Sequence, residues 1–337
     1  MSGPKPTMRD VAVRAGVGVG TVSRVVNQSE AVTSETRARV EKAIAETGFQ
    51  RNEAARMLRP GQSSTTIGLI IDDLQDPFAA AIASGAVEVV NECGHVLLVG
   101  ATRWDPIVER GLTREFIRRQ VDGLLIVSSD RLPIGEADQT ASVPVVYLDR
   151  APRGSHCDRV LLDNHNGVKA ALSRLLDAGH RRIAYIGGSP RALTGSSRLQ
   201  SYKKLLRQHG ILPDPTLITM RRYTTEEARE AAFALLHVDD PPTAIFADNH
   251  RLTLGAAQVV TDLGIKIALA GIDDLDPADL LPFEIDLVAY PASELGRRGA
   301  EQLFHRIDGD TRPATTLRVS TNLIRRGRPL ATTRSAG

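Results

Sequence analysis

Cysteine is nearly absent, with Cys93 and Cys157 alone in 337 residues. That excludes a disulfide-built scaffold, fits a reducing compartment and leaves both as ordinary core or surface thiols. No apolar run approaches the length of a membrane span, and the opening MSGPKPT has no apolar core of the kind a secretory leader needs. A cytoplasmic protein with no membrane partner is expected. Catalytic signatures are missing too. There is no nucleophile elbow, no P-loop and no evident pair of catalytic carboxylates, and Ser189 and Ser197 read as loop residues. His156, Cys157, Asp158 and His165 stand close together without the spacing of a metal site. The expectation is a non-enzyme with no catalytic residues, no metal and no cofactor.

Neither sign of charge dominates the whole chain: Lys and Arg number 42 against 40 Asp and Glu, a net +2. The distribution is uneven. Residues 1–60 hold ten basic and six acidic side chains, and the remainder holds 32 and 34. A basic head on a slightly acidic body suits nucleic-acid binding at one end. The length allows two or three domains with sizeable cores, and 42% hydrophobic with 24% charged residues is a soluble, globular composition.

The head contains TMRDVAVRAGVGVGTVSRVVN, from Thr7 to Asn27. Val11 and Ala15 are four apart, and Val22, Val25 and Val26 follow helical spacing, so two short helices are predicted on either side of a glycine-bearing turn. Thr7 is a plausible N-cap, Ala12 and Ala15 permit close crossing, and Gly16 can take positive φ at the turn. The opposite face of the second helix carries Gly20, Ser23, Arg24 and Asn27, chemistry suited to base edges and phosphates in a major groove. A phosphate-cradling loop over Gly16, Gly18 and Gly20 is the rival, but it needs a preceding strand where the pattern here is helical. A third helix is expected from a Thr33 cap to Gly48, with Val40, Ala43 and Ile44 inward and Phe49 anchoring its end.

The string D-V-A-x-x-A-G-V-x-x-x-T-V-S-R-V-V-N resembles the DNA-binding head of the LacI/GalR family of bacterial transcription regulators. The resemblance extends from Thr7 to about Leu330. It continues in D-P-F at Asp76–Phe78, V-D-G-L-L-I at Val121–Ile126, Y-L-D-R at Tyr147–Arg150, G-H-R-R-I-A-Y-I-G-G at Gly179–Gly188 and G-I-D-D at Gly271–Asp274. It implies DNA contacts from Thr7, Val19, Gly20, Thr21, Ser23, Arg24, Asn27 and Thr33. Gly18 stands where the family has a capping Ser, and Gly20 at a base-reading position has no side chain, which shifts discrimination onto Val19, Thr21, Ser23, Arg24 and DNA shape. Residues 52–58, NEAARML, form a short helix-prone stretch stopped by Pro60 and Gly61, too short to persist alone in water. The resemblance makes it a hinge helix that starts at Asn52, with Leu58 wedged into a minor-groove base step.

After a polar linker, short apolar runs alternate with helical patterns. Strands are predicted at Ile67–Ile71, Val96–Gly100, Gly123–Val127, Val143–Leu148, Arg159–Leu162, Ile183–Ile186, Leu217–Met220, Ala244–Ala247, Ile267–Gly271 and Leu287–Ala289. Helices are expected near 79–92, 107–119, 133–141, 165–179, 197–209, 225–237 and 251–263. Two successive α/β units imply parallel sheets with helices on both faces and a cleft at the strands' carboxyl ends. The expected architecture is therefore an all-α helix-turn-helix head on an α/β, two-lobed, periplasmic-binding-protein-like body. The head covers 6–49, the hinge and linker 50–66 and the body 67–330. Lobe 1 takes about 67–160 plus 291–320, and lobe 2 about 161–290 plus 321–330.

Strand-end residues and their neighbours are the candidate effector contacts: Asp149, Asn249 and Asp273, with Arg198 near a helix start. Tyr223 could stack on a flat ligand, Asp76 and Phe78 lie on the other wall, and Tyr290 stands where sugar-binding relatives have Gln. The expected effector is a sugar, sugar phosphate, polyol or nucleobase. With no leucine heptad after Leu330, a two-fold dimer is expected, since one head reads only a half-site of double-stranded operator DNA. The resemblance implies a transcriptional regulator of the repressor kind, controlled by a small molecule. The alternative is a solute-binding protein of a transport system, which the basic head argues against.

Overall fold

The computed structural model describes residues 6–26, 29, 31–49, 65–129, 143–152, 156–190 and 192–328. Asn27, Asn52, Leu58, the linker up to 64 and the helix expected near 133–141 lie outside the described residues. The chain divides into two compact units, Met1–Ser64 and Thr65–Gly337.

The first unit is a three-helix domain with α1 at Met8–Ala15, α2 at Val19–Val26 and α3 at Ser34–Thr47. Thr7 and Asp10 form a reciprocal capping box at the start of α1, and Gly16 ends it at φ 63°. That residue type is needed because the turn into α2 is left-handed. Thr33 caps α3 through the Thr36 amide, and Gly48 closes it at φ 65°. Val11, Ala12, Ala15, Val22, Val25, Val40 and Ala43 form the core, with Ile44 and Phe49 packed against its edge. Arg14 on α1 is tied to Glu46 on α3.

The second unit carries two six-stranded sheets. The strands of the first are β1 Thr66–Ile71, β2 Val96–Ala101, β3 Gly123–Ile126, β4 Val145–Leu148, β5 Asp158–Leu162 and β11 Thr316–Val319. Their order is β11-β5-β4-β3-β1-β2, all parallel. Helices α4 (Pro77–Glu92), α5 (Pro106–Arg118) and α10 (Ala292–Ile307) pack on it. The second sheet has β6 Ile183–Ile186, β7 Ile218–Thr219, β8 Ala244–Ala247, β9 Ala268–Ile272, β10 Ile285–Ala289 and β12 Asn322–Arg326. Its order is β12-β10-β9-β8-β6-β7, with only the β10–β12 pair antiparallel. Helices α6 (Asn164–Asp177), α7 (Leu193–Gln208), α8 (Thr225–Leu236) and α9 (His250–Leu263) cover it.

The same order recurs in both sheets, position by position. Each is covered on both faces, with one apolar cluster per face, which is why strands such as Leu124–Ile126 and Ala244–Ala247 are apolar at every residue. In β1, Ile67, Leu69 and Ile71 face the α4 and α10 side while Ile70 faces Phe116 of α5.

Several boundaries move from the sequence reading. The helix expected near 197–209 begins at Leu193, because the loop after β6 is shorter than its Gly-Gly-Ser-Pro string suggests, and Arg198 therefore sits in the second turn. The strand expected at Leu217–Met220 shrinks to two residues behind a 3-10 turn capped by Asp214. Helix α10 and strands β11 and β12 had no predicted counterpart. β11 completes the first sheet and β12 the second, so the chain passes between the lobes at Ser320–Thr321 as well as after β5 and after β10.

Candidate functional site

In the head, α2 presents a sparse outer face. Val19 is 43% exposed, Gly20 and Arg24 are exposed, and Thr21 and Ser23 are half-buried. Thr7 and Thr33 are engaged as caps of α1 and α3. The start of α2 has only the Gly18 carbonyl, which accepts from the Thr21 and Val22 amides at 2.9 and 3.2 Å. A Cβ added at Gly18 or Gly20 would meet nothing within 4 Å. Gly20→Ala is therefore expected to stabilise α2 by about 0.5–1 kcal/mol. Hydrogen exchange of the α2 amides should slow accordingly, and exchange that quickens instead would overturn this.

In the body, the sheet orders place β1 between β2 and β3, and β6 between β7 and β8. The order in which strands are added reverses there, so polar residues at the carboxyl ends gather around one crevice. All eight residues proposed for effector contact line a single cavity of about 100 Å³ between the lobes. Asp149 ends β4 and Asp273 ends β9, equivalent strands of the two sheets, and both are left-handed at φ 57° and 77°. Asp tolerates that region because its short polar side chain can bond locally. Their amides are held alike, donating to the carbonyls of Val160 and Val288 at 2.8 and 3.0 Å. Asp76 caps α4 through the Phe78 amide at 3.0 Å, and Asn249 caps α9 through the Leu252 amide at 3.1 Å. The Phe78 ring meets Tyr290 edge-on at 5.9 Å.

Charge is concentrated here. On the lobe 2 side, Arg198 Nε donates to Asn164 Oδ1 at 2.7 Å, and its terminal nitrogen donates to the Asp248 carbonyl. The Asp248 carboxylate accepts from the Tyr185 hydroxyl at 2.9 Å and from the Gly188 amide. Asp273 accepts from the His250 amide at 2.7 Å and from the Tyr290 hydroxyl. Burial, then the neighbouring Asp273, pushes the Tyr290 hydroxyl well above its ordinary range. On the lobe 1 side, Asp72 bonds Arg150, whose guanidinium lies 4.6 Å from the centroid of the Trp104 ring. Burial pushes the Asp72 carboxyl up to about 6, against the downward pull of Arg150. Burial likewise raises Asp149, Asp248 and Asp76.

Three buried polar atoms of this cavity have no hydrogen-bond partner in the protein: Asp149 Oδ1, Arg150 Nε and Arg222 Nε. A buried group left unpaired costs about 1–3 kcal/mol, so such atoms in a cavity wall point to a ligand that supplies the missing bonds. Asp149 offers an acceptor and Arg150 a donor 3.4 Å from the other Asp149 oxygen, so one hydroxyl can serve both. Across the mouth, Arg251 in the first turn of α9 pairs with Asp73 after β1 at 2.6 Å and so joins the two lobes. The pair is part-exposed and worth at most about 1 kcal/mol. Arg251→Ala is expected to weaken effector binding about two- to fivefold by favouring the open cleft. Titration calorimetry reads this, and unchanged affinity would reject the latch.

Sequence reasoning missed Asp72, Arg150, Asp248, Arg222, Arg251 and Trp104 as members of the site. Asp72 and Asp248 carry the signal used for the others, an acid directly after an apolar strand. Trp104 carries none: it and Arg103 are successive left-handed residues at φ 66° and 51°, each costing about 1–3 kcal/mol, and no residue type advertises that.

Two family models match the chain. "Bacterial regulatory proteins, lacI family" covers residues 7–52, and "Periplasmic binding protein-like domain" covers 172–327. The chain is 34% identical to the transcriptional regulator CelR of Thermobifida fusca, over 95% of this chain and 97% of the relative. It is 30% identical to the transcriptional repressor CytR of Escherichia coli (strain K12), over 95% of each. A solved CelR–cellobiose complex superposes with a TM-score of 0.71 at 32% identity, over 95% of this chain and 98% of that one. Among the described residues no helix is long and apolar enough to cross a membrane. The helix-turn-helix head, the paired α/β lobes and identity along nearly the full length agree: this chain belongs to the LacI family, bacterial DNA-binding regulators of transcription.

Proposed function

We propose that this regulator is a repressor whose hold on operator DNA is set by a small polyhydroxylated effector, of carbohydrate type, bound between the lobes. The observation that carries the effector class is the buried pair Asp149 Oδ1 and Arg150 Nε, an acceptor and a donor left open side by side in the cavity wall. Hydroxyl groups complement such a pair, since each can donate and accept. The cellobiose held by CelR, at 32% identity, supports the same class. Arg198 and Asn249 supply further donors, Asp273 a further acceptor, and Phe78, Tyr223 and Tyr290 the apolar walls.

In the head, Val19, Thr21, Ser23 and Arg24 read the major groove, and Gly20 lets the backbone approach. Two copies act together, because one α2 spans only a half-site. Asn52 and Leu58, outside the described residues, are proposed to complete the grip in the minor groove. Effector binding draws the lobes together and changes operator affinity by a coupling of about 1–3 kcal/mol.

A gel shift with DNA from upstream of the protein's own gene, with and without cellobiose, D-glucose or D-ribose, tests this. A sequence-specific shift that weakens with rising salt and responds to one of these sugars is expected. The absence of any specific shift would sink the regulatory mechanism, and a specific shift indifferent to every sugar would sink the effector class.

A further inference from the structure

Trp104 is the only tryptophan of the chain, and its position is costly in two ways. It follows Arg103 in the turn between β2 and α5, and both residues are left-handed, a backbone state L side chains avoid. The residue is also 41% exposed, where a tryptophan serving the core would be covered. The turn is nonetheless pinned from every side. The amides of Thr102 and Arg103 donate to the carbonyls of Ile71 and Asp72 at 2.8 and 2.7 Å. The Trp104 amide donates to Thr102 Oγ1 at 3.3 Å, and Thr102 itself is wholly buried against Ser129 and Asp72. Asp105 then caps α5 through the Ile107 amide at 2.7 Å. A strained turn held this firmly puts the ring in the wall of the inter-lobe cavity, beside Asp149 and Arg150. Arg150, 4% exposed, lies 4.6 Å from the ring centroid and fixes it there.

We infer that Trp104 is a specificity-determining platform: the C–H face of a pyranose ring packs on the indole face that Arg150 leaves open. This rests on the carbohydrate-effector reading above and deepens it. A pyranose whose hydroxyls are equatorial shows a continuous C–H face to an aromatic ring and directs its donors sideways. A flat ring in the cavity wall therefore selects glucopyranosyl ligands over furanoses.

The test uses the full chain, calorimetry and the emission of the single tryptophan, with cellobiose, D-glucose, D-ribose and adenosine as probes at millimolar concentration. Binding of cellobiose or glucose is expected to change the Trp104 emission. Trp104→Ala should lose about three- to tenfold in affinity, and Trp104→Phe should restore most of it. Trp104→Gly relieves the left-handed strain, so its melting temperature should equal or exceed the parent's while sugar binding falls. Sugar binding with unchanged emission and an unaffected Trp104→Ala variant overturns the platform and leaves the cleft reading intact. A melting temperature that drops sharply in Trp104→Gly makes the ring structural and overturns the platform as well. Preference for adenosine, whose ribose is locked as a furanose, overturns the pyranose assignment. Absence of heat with every probe overturns both the platform and the carbohydrate class.

Discussion

Gly296→Ala should lower the stability of the two-lobed body by about 2 kcal/mol and its melting temperature by about 4–8 °C. A Cβ at this position in α10 would lie 1.9 Å from the Ile82 carbonyl oxygen and 2.8 Å from the Ala86 amide of α4. The contact is reciprocal: a Cβ at Gly85 in α4 would lie 2.0 Å from the Ser293 carbonyl oxygen. Both obstacles are backbone, so no rotamer change relieves them and the helices must separate. Overpacking of that kind costs about 1–3 kcal/mol or more, and the better helix propensity of alanine returns only about 1. Gly299→Ala on the same helix is the control. Its nearest neighbour is Leu148 Cδ2 at 2.4 Å, the end of a side chain that can turn away, so a much smaller loss is expected. The consequence reaches the cleft, because α4 begins at Asp76 and Phe78, one wall of the cavity. Circular dichroism melts of both variants decide it, and equal melting temperatures for Gly296→Ala and the parent would refute the backbone contact.

Asp149→Asn should reduce effector affinity about ten- to hundredfold. Asn keeps the size of the side chain and tolerates the left-handed φ of 57°, so the strand end is preserved. What disappears is the charged acceptor, and hydrogen bonds to a charged group are worth about 1.5–3 kcal/mol. The carboxyl is 5% exposed, and burial holds it above the ordinary aspartate range. On acidification it therefore takes up its proton before exposed aspartates do. Since a ligand hydroxyl bonds the charged form better, effector affinity in the parent should fall as pH drops, and this limb should be missing from the Asn variant. Calorimetry with the best sugar probe across pH measures both effects. Affinity within about twofold of the parent at neutral pH would remove Asp149 from the binding site.

How much of this was readable beforehand differs between the parts. The head was legible almost residue by residue. Its helices are short and local, so the caps at Thr7 and Thr33, the left-handed Gly16 and Gly48 and the inward Val11, Val22 and Val40 follow from spacing and residue type. The alternation of strands and helices was legible up to β10, because strands buried on both faces are continuous apolar runs, as in β3 and β8. β11 and β12 were not. They are edge strands with polar sequences, TLRV and NLIRR, and an edge strand exposes enough of itself to lose the apolar signal.

The site shows the same division. An acid or amide directly after a strand marked Asp149, Asn249 and Asp273, since such residues lie at the carboxyl end whatever the details of packing. That these three share one cavity with Asp76, Arg198, Tyr223 and Tyr290 was expected from resemblance and is seen only in the folded chain. The orphaned atoms of Asp149 and Arg150 could not be anticipated, because whether a buried group is paired depends on distances of a few tenths of an ångström.

From its sequence alone the chain determined the composition of a basic helical head, an α/β body of two successive units and the strand ends at which polar groups collect. These rest on local periodicity and on caps, which neighbouring residues settle among themselves. Only the tertiary structure decided that Gly85 and Gly296 meet, that Arg251 reaches Asp73 across 178 positions and that Trp104 is turned into the cleft. Each of those depends on two or more elements arriving at one place, and no local pattern records where a distant backbone will come to lie.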